Sequence, residues 1–406
     1  MEFVIDRIEF LLLVAALVAM LARRYRFPYT VGLVVTGLTL SALPFVHTVA
    51  LTKELLFSAL LPPLIFEAAL FLRWPSLRKE MPVVILMATV GLVLAALVTA
   101  SGLYWLVGWP AISAGIFGVL IAATDPVSVI ATFKEARVTG RLSLLIEAES
   151  LFNDGTAAVL FALLVAIAQG ASPTFAGLLG NTLWIVGGGI ACGGLLALAV
   201  LYLAGKTTDH LVEITLTTVS AYGSFLLAEH LHCSGILATL TAGLVVGNRG
   251  PLGAMSNKGR EATEAFWEYV AFVSNSLIFL LIGLHEAQQD FSTVLGVAAI
   301  AIVLVTLGRA AAIYPLAFLI SRSSLRISAA HQHVMFWGGL RGALALALAL
   351  GLPPDLPFQK QIVSVAFAVV AFSVMVQGLT MSPLLRHLNL LPEPEVSTGP
   401  SIVDKS

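Results

Sequence analysis

The chain reads as a succession of long apolar runs separated by short turns rich in Pro, Gly and charge. Thirteen membrane spans are predicted, covering approximately 8–22, 29–45, 53–72, 81–107, 110–134, 141–169, 174–204, 210–230, 234–248, 262–284, 291–320, 330–352 and 360–388. A helix needs ~20 residues to cross the hydrocarbon core, and these runs approach or exceed that length. Glu2 and Asp6 precede the first run while Arg23, Arg24 and Arg26 follow it. A cleavable secretory signal has the opposite charge order, so this run reads as a span.

Placement of Lys and Arg tests the span count. With the N-terminus outside and the C-terminus cytoplasmic, seventeen basic residues fall in inside loops and the tail, against Arg7, Lys53 and Lys360 outside. The positive-inside rule requires a bias of this kind. The two remaining basic residues, Arg309 and Arg341, lie within apolar spans.

Composition agrees. Of 406 residues 58% are apolar and only 11% charged, with mean hydropathy +0.96, whereas a soluble domain carries about a quarter of its residues as charges. The fold class expected is therefore an all-α polytopic membrane protein without an extramembrane domain, followed by a short polar tail at 389–406. A net charge of -1 excludes a nucleic-acid binder working through a basic surface. Cys192 and Cys233 match neither a metal-ligand spacing nor a disulfide framework.

Ionisable residues within the bilayer cost several kcal/mol unless they are paired or face water. Besides the two arginines, the spans hold Glu67, Asp125, Glu147, Glu149 and Asp154. Structural pairing accounts for a matched acid and base but not for a surplus of acids. Ser150 and Asp154 are four apart and share a helical face, and Glu149 and Asn153 share a neighbouring one. At ~1.5 Å per residue, Asp154 lies about 20 Å from a start near 141, close to the bilayer middle. Asp125 reaches similar depth in IAATDPVSVI, where Pro126 should break the helix. In the twelfth span FWGGLRGALALAL, three glycines surround Arg341 and suggest a second break. Seven spans separate the two breaks, as expected of two inverted six-helix repeats joined by the seventh helix, with the substrate where the broken helices cross. Asp125 and Arg341 could offset the helix dipoles there.

ATDPVSV, ESLFNDGTA, LGRAAAIYPL and HQHVMFWGGLRGA, with LLPPLIFEAAL in the third span, resemble in order and spacing the monovalent cation:proton antiporter family of the first type. That family includes the NhaP-like sodium/proton antiporters of bacteria and archaea and the animal sodium/proton exchangers. The resemblance runs over about 10 to 388. It implies a homodimer in a prokaryotic plasma (inner) membrane, in contact with lipid and with no cofactor. A core domain (81–169 and 291–388) would move against interface helices (8–72 and 210–284), joined by a linker helix (174–204), in an elevator-like movement. The family's large cytoplasmic regulatory tail has no counterpart in the short stretch after 388. The resemblance further implies that Asp154, preceded by Asn153, binds either the cation or a proton. Ser150, Thr124 and Glu67 would complete the oxygen shell of a sodium ion, Glu149 would pair with Arg309, and Asp125 and Arg341 would steady the crossing.

Elementary chemistry is consistent with that assignment. Sodium is a hard cation suited to carboxylate, hydroxyl and carbonyl oxygens, and one carboxylate cannot hold a cation and a proton together. If Arg309 neutralises Glu149, one proton exchanges for one cation and no net charge moves. Lithium and potassium are alternative cations. A cation channel is the rival class, because rings of acids also select cations. An enzyme is not expected: NDGTAAVL lacks the further nearby acids of an intramembrane prenyltransferase, and no span carries HExxH. His210, His331 and His333 read as wet residues near span ends.

Overall fold

The structure, a computed structural model, describes residues 2–25, 27–42, 51–135, 138, 140–171, 174–250, 254–286 and 294–390. Arg26, Arg137 and Lys405 of the charge-bias argument, and the expected tail from 391 on, lie outside these residues.

Every regular element among the described residues is helical. In order they are α1 (Glu2–Tyr25), α2 (Tyr29–Leu40), α3 (Leu61–Phe71), α4 (Trp74–Leu86), α5 (Leu92–Gly102), α6 (Ala111–Ala122), α7 (Val127–Glu135), α8 (Arg141–Ala168) and α9 (Phe175–Ala204). There follow α10 (His210–His230), α11 (Gly235–Arg249), α12 (Asn257–Glu286), α13 (Leu295–Leu319), α14 (Ala329–Trp337), α15 (Ala343–Leu350), α16 (Gln359–Phe372) and α17 (Gly378–His387). Wider π-helical turns at Leu55–Leu60, Met87–Gly91, Leu103–Val107 and Ser373–Gln377 adjoin α3, α5 and α16. Among the described residues, seven continuous helical stretches are long and apolar enough to cross a membrane, including Trp74–Val107, Arg141–Ala168 and Gln359–His387. The chain is an integral membrane protein.

One boundary differs instructively from the expected spans. The fourth begins at Trp74 and not at 81, because Pro75 occupies the first helical turn, where a missing N–H costs nothing. Glu80, whose charge reads as loop, instead accepts two hydrogen bonds from Arg141, at 2.8 and 2.9 Å. Arg141 also donates to the carbonyls of Arg326 and Leu325, tying the end of α8 to α4 and to the turn before α14.

Helix packing is densest within two groups, although one buried apolar core runs through both. α2 and α3 pack with α12 and α11, and α9 and α10 pack on α11. Phe66, Leu70, Leu201, Val246 and Trp267 form a buried cluster of this group, with the Trp267 indole donating to Thr217 at 3.0 Å. α4, α5, α6, α8 and α13 to α16 make up the second group. Within the first, Gly37 of α2 and Gly283 of α12 face one another so closely that a Cβ on either would strike the other helix's backbone. Small residues that let backbones approach are the usual means of holding membrane helices together, since no hydrophobic force separates them from lipid.

Candidate functional site

Two helices of the second group are interrupted. Between α6 and α7, residues 123–126 leave the helix, and between α14 and α15 the gap is 338–342. Pro126 cannot donate the hydrogen bond a continuous helix requires, and the glycines weaken the second helix at the equivalent place. The segments cross: the Asp125 N–H donates to the Leu340 carbonyl at 2.7 Å. At Gly342 a side chain would collide with the Asp125 carboxylate, so only glycine admits this approach.

Interrupting a helix leaves unpaired carbonyls at one end and unpaired N–H groups at the other. The Arg341 guanidinium, 2% exposed, donates to the carbonyls of Ala122 and Ala123 at 2.6 and 3.1 Å, at the C-terminal end of α6. An Asp125 carboxylate oxygen accepts from the Val127 N–H at 2.9 Å, at the start of α7. Each charge thus faces the helix end whose partial charge it offsets. The Arg341 N–H donates to Ser373, whose hydroxyl donates to Gln377, so the π-helical turn of α16 holds the second break.

α8 passes beside this crossing. Glu149 and Arg309 form a bidentate ion pair, with contacts of 2.7 and 2.9 Å and side-chain exposures of 2% and 8%. Arg309 also donates to the Met335 carbonyl at the end of α14. The Asn153 carboxamide donates to the Thr124 hydroxyl at 2.6 Å and to Glu149 at 3.2 Å, and accepts from the Thr124 N–H at 3.2 Å. The Ser150 and Thr124 hydroxyls lie 2.9 Å apart. Asn153, Ser150 and Thr124 therefore lock α8 to the first break. Arg309 and Arg341 also meet at a smaller cavity of about 10 Å³ for water centres, the room one water needs.

A larger cavity offers about 70 Å³ to the centres of water molecules, enough for several at roughly 10 to 15 Å³ each. Thr124, Asp125, Asp154, Glu67 and Asn275 are its polar lining, with Gly342 and Leu344 from the second break. Asp154, Thr124 and Glu67 of the expected sodium shell thus share one cavity, whereas Ser150 and Asn153 sit behind its wall. No hydrogen bond from a described residue reaches the Asp154 carboxylate. Glu147, on the same helix, is half-buried and outside this lining. Asn275, on α12, was not marked by any sequence motif; its only signal is the Ser-Asn-Ser triplet within an apolar run.

Crossed, interrupted helices beside a cavity lined by carboxylates are the architecture of a polytopic membrane transporter, since irregular backbone at membrane depth persists where it lines a cavity. The family model for the transmembrane sodium/hydrogen exchanger matches residues 11–387. The Na+/H+ antiporter ApNhaP of Aphanothece halophytica is 39% identical over 371 residues, covering 90% of this chain and 70% of that protein. NhaH of Halobacillus aidingensis is 33% identical over 399 residues, covering 95% of this chain and 98% of that protein. The sodium proton antiporter MjNhaP1 of Methanocaldococcus jannaschii superposes with a TM-score of 0.74 at 20% identity, covering 96% of this chain and all of that one. The chain belongs to the sodium/hydrogen exchanger family.

Proposed function

We propose that this protein exchanges a monovalent cation, sodium above lithium or potassium, for a proton across a prokaryotic plasma membrane, one for one and without net charge movement. The observation that carries the reading is the contrast among its acids. Glu149 is closed by Arg309 and Asp125 caps a helix, while Asp154 faces the cavity with no hydrogen bond from a described residue. A carboxylate in that position can bind a cation or a proton, and one occupant displaces the other. Glu67 and Thr124 offer further hard oxygens in the same cavity. The related proteins named as Na+/H+ antiporters support sodium as the cargo.

Movement of the group carrying Asp154 against the group carrying α2, α3 and α10 to α12, as an elevator within a homodimer, would expose the cavity to either side in turn. The N-terminus is taken as outside and the C-terminus as cytoplasmic, on the bias of Lys and Arg among the loops. Purified protein in vesicles with a fluorescent pH probe inside tests the reading. Adding sodium to one side should drive protons to that side, and a clamp of the membrane potential should leave the rate unchanged. A current that follows the potential and needs no counter-ion gradient would make the protein a channel.

A further inference from the structure

The cavity's polar lining comes from both packing groups. Thr124, Asp125 and Asp154 belong to the group with the interrupted helices, whereas Glu67 of α3 and Asn275 of α12 belong to the other. Asn275 is half-buried, and its carboxamide makes no hydrogen bond to any described residue. Its amide is therefore open to whatever occupies the cavity that it lines.

The stretch of helix that carries that amide is firmly held. Its neighbour Ser276 is hydrogen bonded to the Tyr29 hydroxyl and donates to the Phe272 carbonyl. The Tyr29 ring stacks on Phe272 with centroids 5.6 Å apart, and α2 and α12 touch backbone to backbone at Gly37 and Gly283. Asn275 is therefore presented from a rigid helix pair, while Asp154 is carried on α8 in the other group.

We propose that Asn275 is a specificity-determining residue of transport: its amide oxygen enters the coordination shell of the partly dehydrated cation from the α12 side of the cavity. The inference rests on the cation/proton exchange reading above. An amide oxygen is a hard ligand, but it is neutral and does not compete for the proton that Asp154 exchanges. It replaces a water of the cation and releases it readily, since conduction and transport need sites weak enough to leave. If the helix groups shift against each other during transport, this ligand stays behind with α12. Asn275 then acts on entry and release of the cation and not on its carriage.

Vesicle flux measurements on Asn275→Leu and Asn275→Asp, with sodium, lithium and potassium each titrated, test this. Leucine is close in size but has no lone pair. It should raise the apparent KM for sodium about 5-fold, the effect of losing one neutral polar contact of roughly 1 kcal/mol, change maximal rate less, and alter the ratio of KM values among the three cations. Aspartate keeps an oxygen ligand and adds a charge, so its KM should recover to wild type or below at pH 8 and worsen toward pH 6 more steeply than wild type. An Asn275→Leu protein with wild-type KM and cation order, or one that loses only maximal rate, would overturn the proposal. Should leucine prevent folding, an Asn275→Asp protein with an unchanged KM and pH profile would overturn it equally. Wild-type vesicles without any cation-driven proton flux would defeat the exchange reading itself, an outcome distinct from an active wild type with an indifferent Asn275.

Discussion

Removing either member of the Glu149–Arg309 pair should destabilise the protein far more than removing both. The fork of two hydrogen bonds, at 2.7 and 2.9 Å, joins groups that are almost completely shielded from solvent. In Glu149→Gln the guanidinium keeps the Met335 carbonyl but has no counter-charge beside it. In Arg309→Ala the carboxylate keeps only the donation from Asn153. An uncompensated buried charge costs about 3 to 5 kcal/mol, and 3 kcal/mol is already more than a hundredfold in the folding equilibrium. In the double variant neither charge remains, and the loss should shrink toward that of two deleted hydrogen bonds, about 1 kcal/mol each. Equilibrium unfolding in micelles for the four proteins of the cycle gives the coupling energy directly, and a magnitude of about 4 kcal/mol or more is expected, the difference between two single losses of at least about 3 and a double loss of about 2. A coupling indistinguishable from zero would show that the pair does not carry the stability assigned to it, and Arg341 would become the candidate partner of Glu149.

Asp154→Asn, nearly isosteric, should abolish cation-driven proton flux while the protein still elutes as the same folded species; near wild-type flux with every cation would refute the central assignment. On the proposed exchange protons and cations compete for Asp154, so the apparent affinity for sodium should weaken as pH falls, with maximal rate changing less, in a sodium titration at several pH values. Imposing a membrane potential with valinomycin and potassium should neither drive nor stop sodium-dependent proton movement; potential-driven but coupled exchange would mean that a second carboxylate, Asp125 or Glu67, also releases a proton. Gly342→Ala should lose both folding yield and flux, measured by expression and vesicle assay, since the new methyl group meets the Asp125 carboxylate.

The interruptions were legible because Pro126 and the glycines about Arg341 oppose helix formation wherever they occur, and the depth of Asp154 followed from counting residues along one helix. The partnership of Glu149 with Arg309 was not legible from spacing, since 160 residues separate them; only the motif resemblance suggested it. The π-helical turn at Ser373–Gln377 left no mark either. Its widened backbone depends on the tertiary demand that Ser373 reach the Arg341 N–H. Asn275 carries no such mark in the sequence for another reason. A neutral amide costs an apolar helix much less than a charge does, so it does not stand out among 58% apolar residues as an aspartate does.

The same interruptions explain why one acid is left available. A continuous helix would have no unpaired carbonyls for Arg341 and no free N–H for Asp125, and both charges would need partners elsewhere in the bilayer. Breaking α6 from α7 creates two helix ends, each equivalent to about half a charge, and these accept Arg341 and Asp125. Arg309 is then available for Glu149, and the hydroxyls and amide of Thr124, Ser150 and Asn153 satisfy one another. Among the described residues, the hydrogen bonds around the crossing are made without Asp154. In the proposed cycle a proton on Asp154 can therefore give way to a cation and return without any of these structural bonds being broken, which is the property a repeated exchange cycle requires of its binding group.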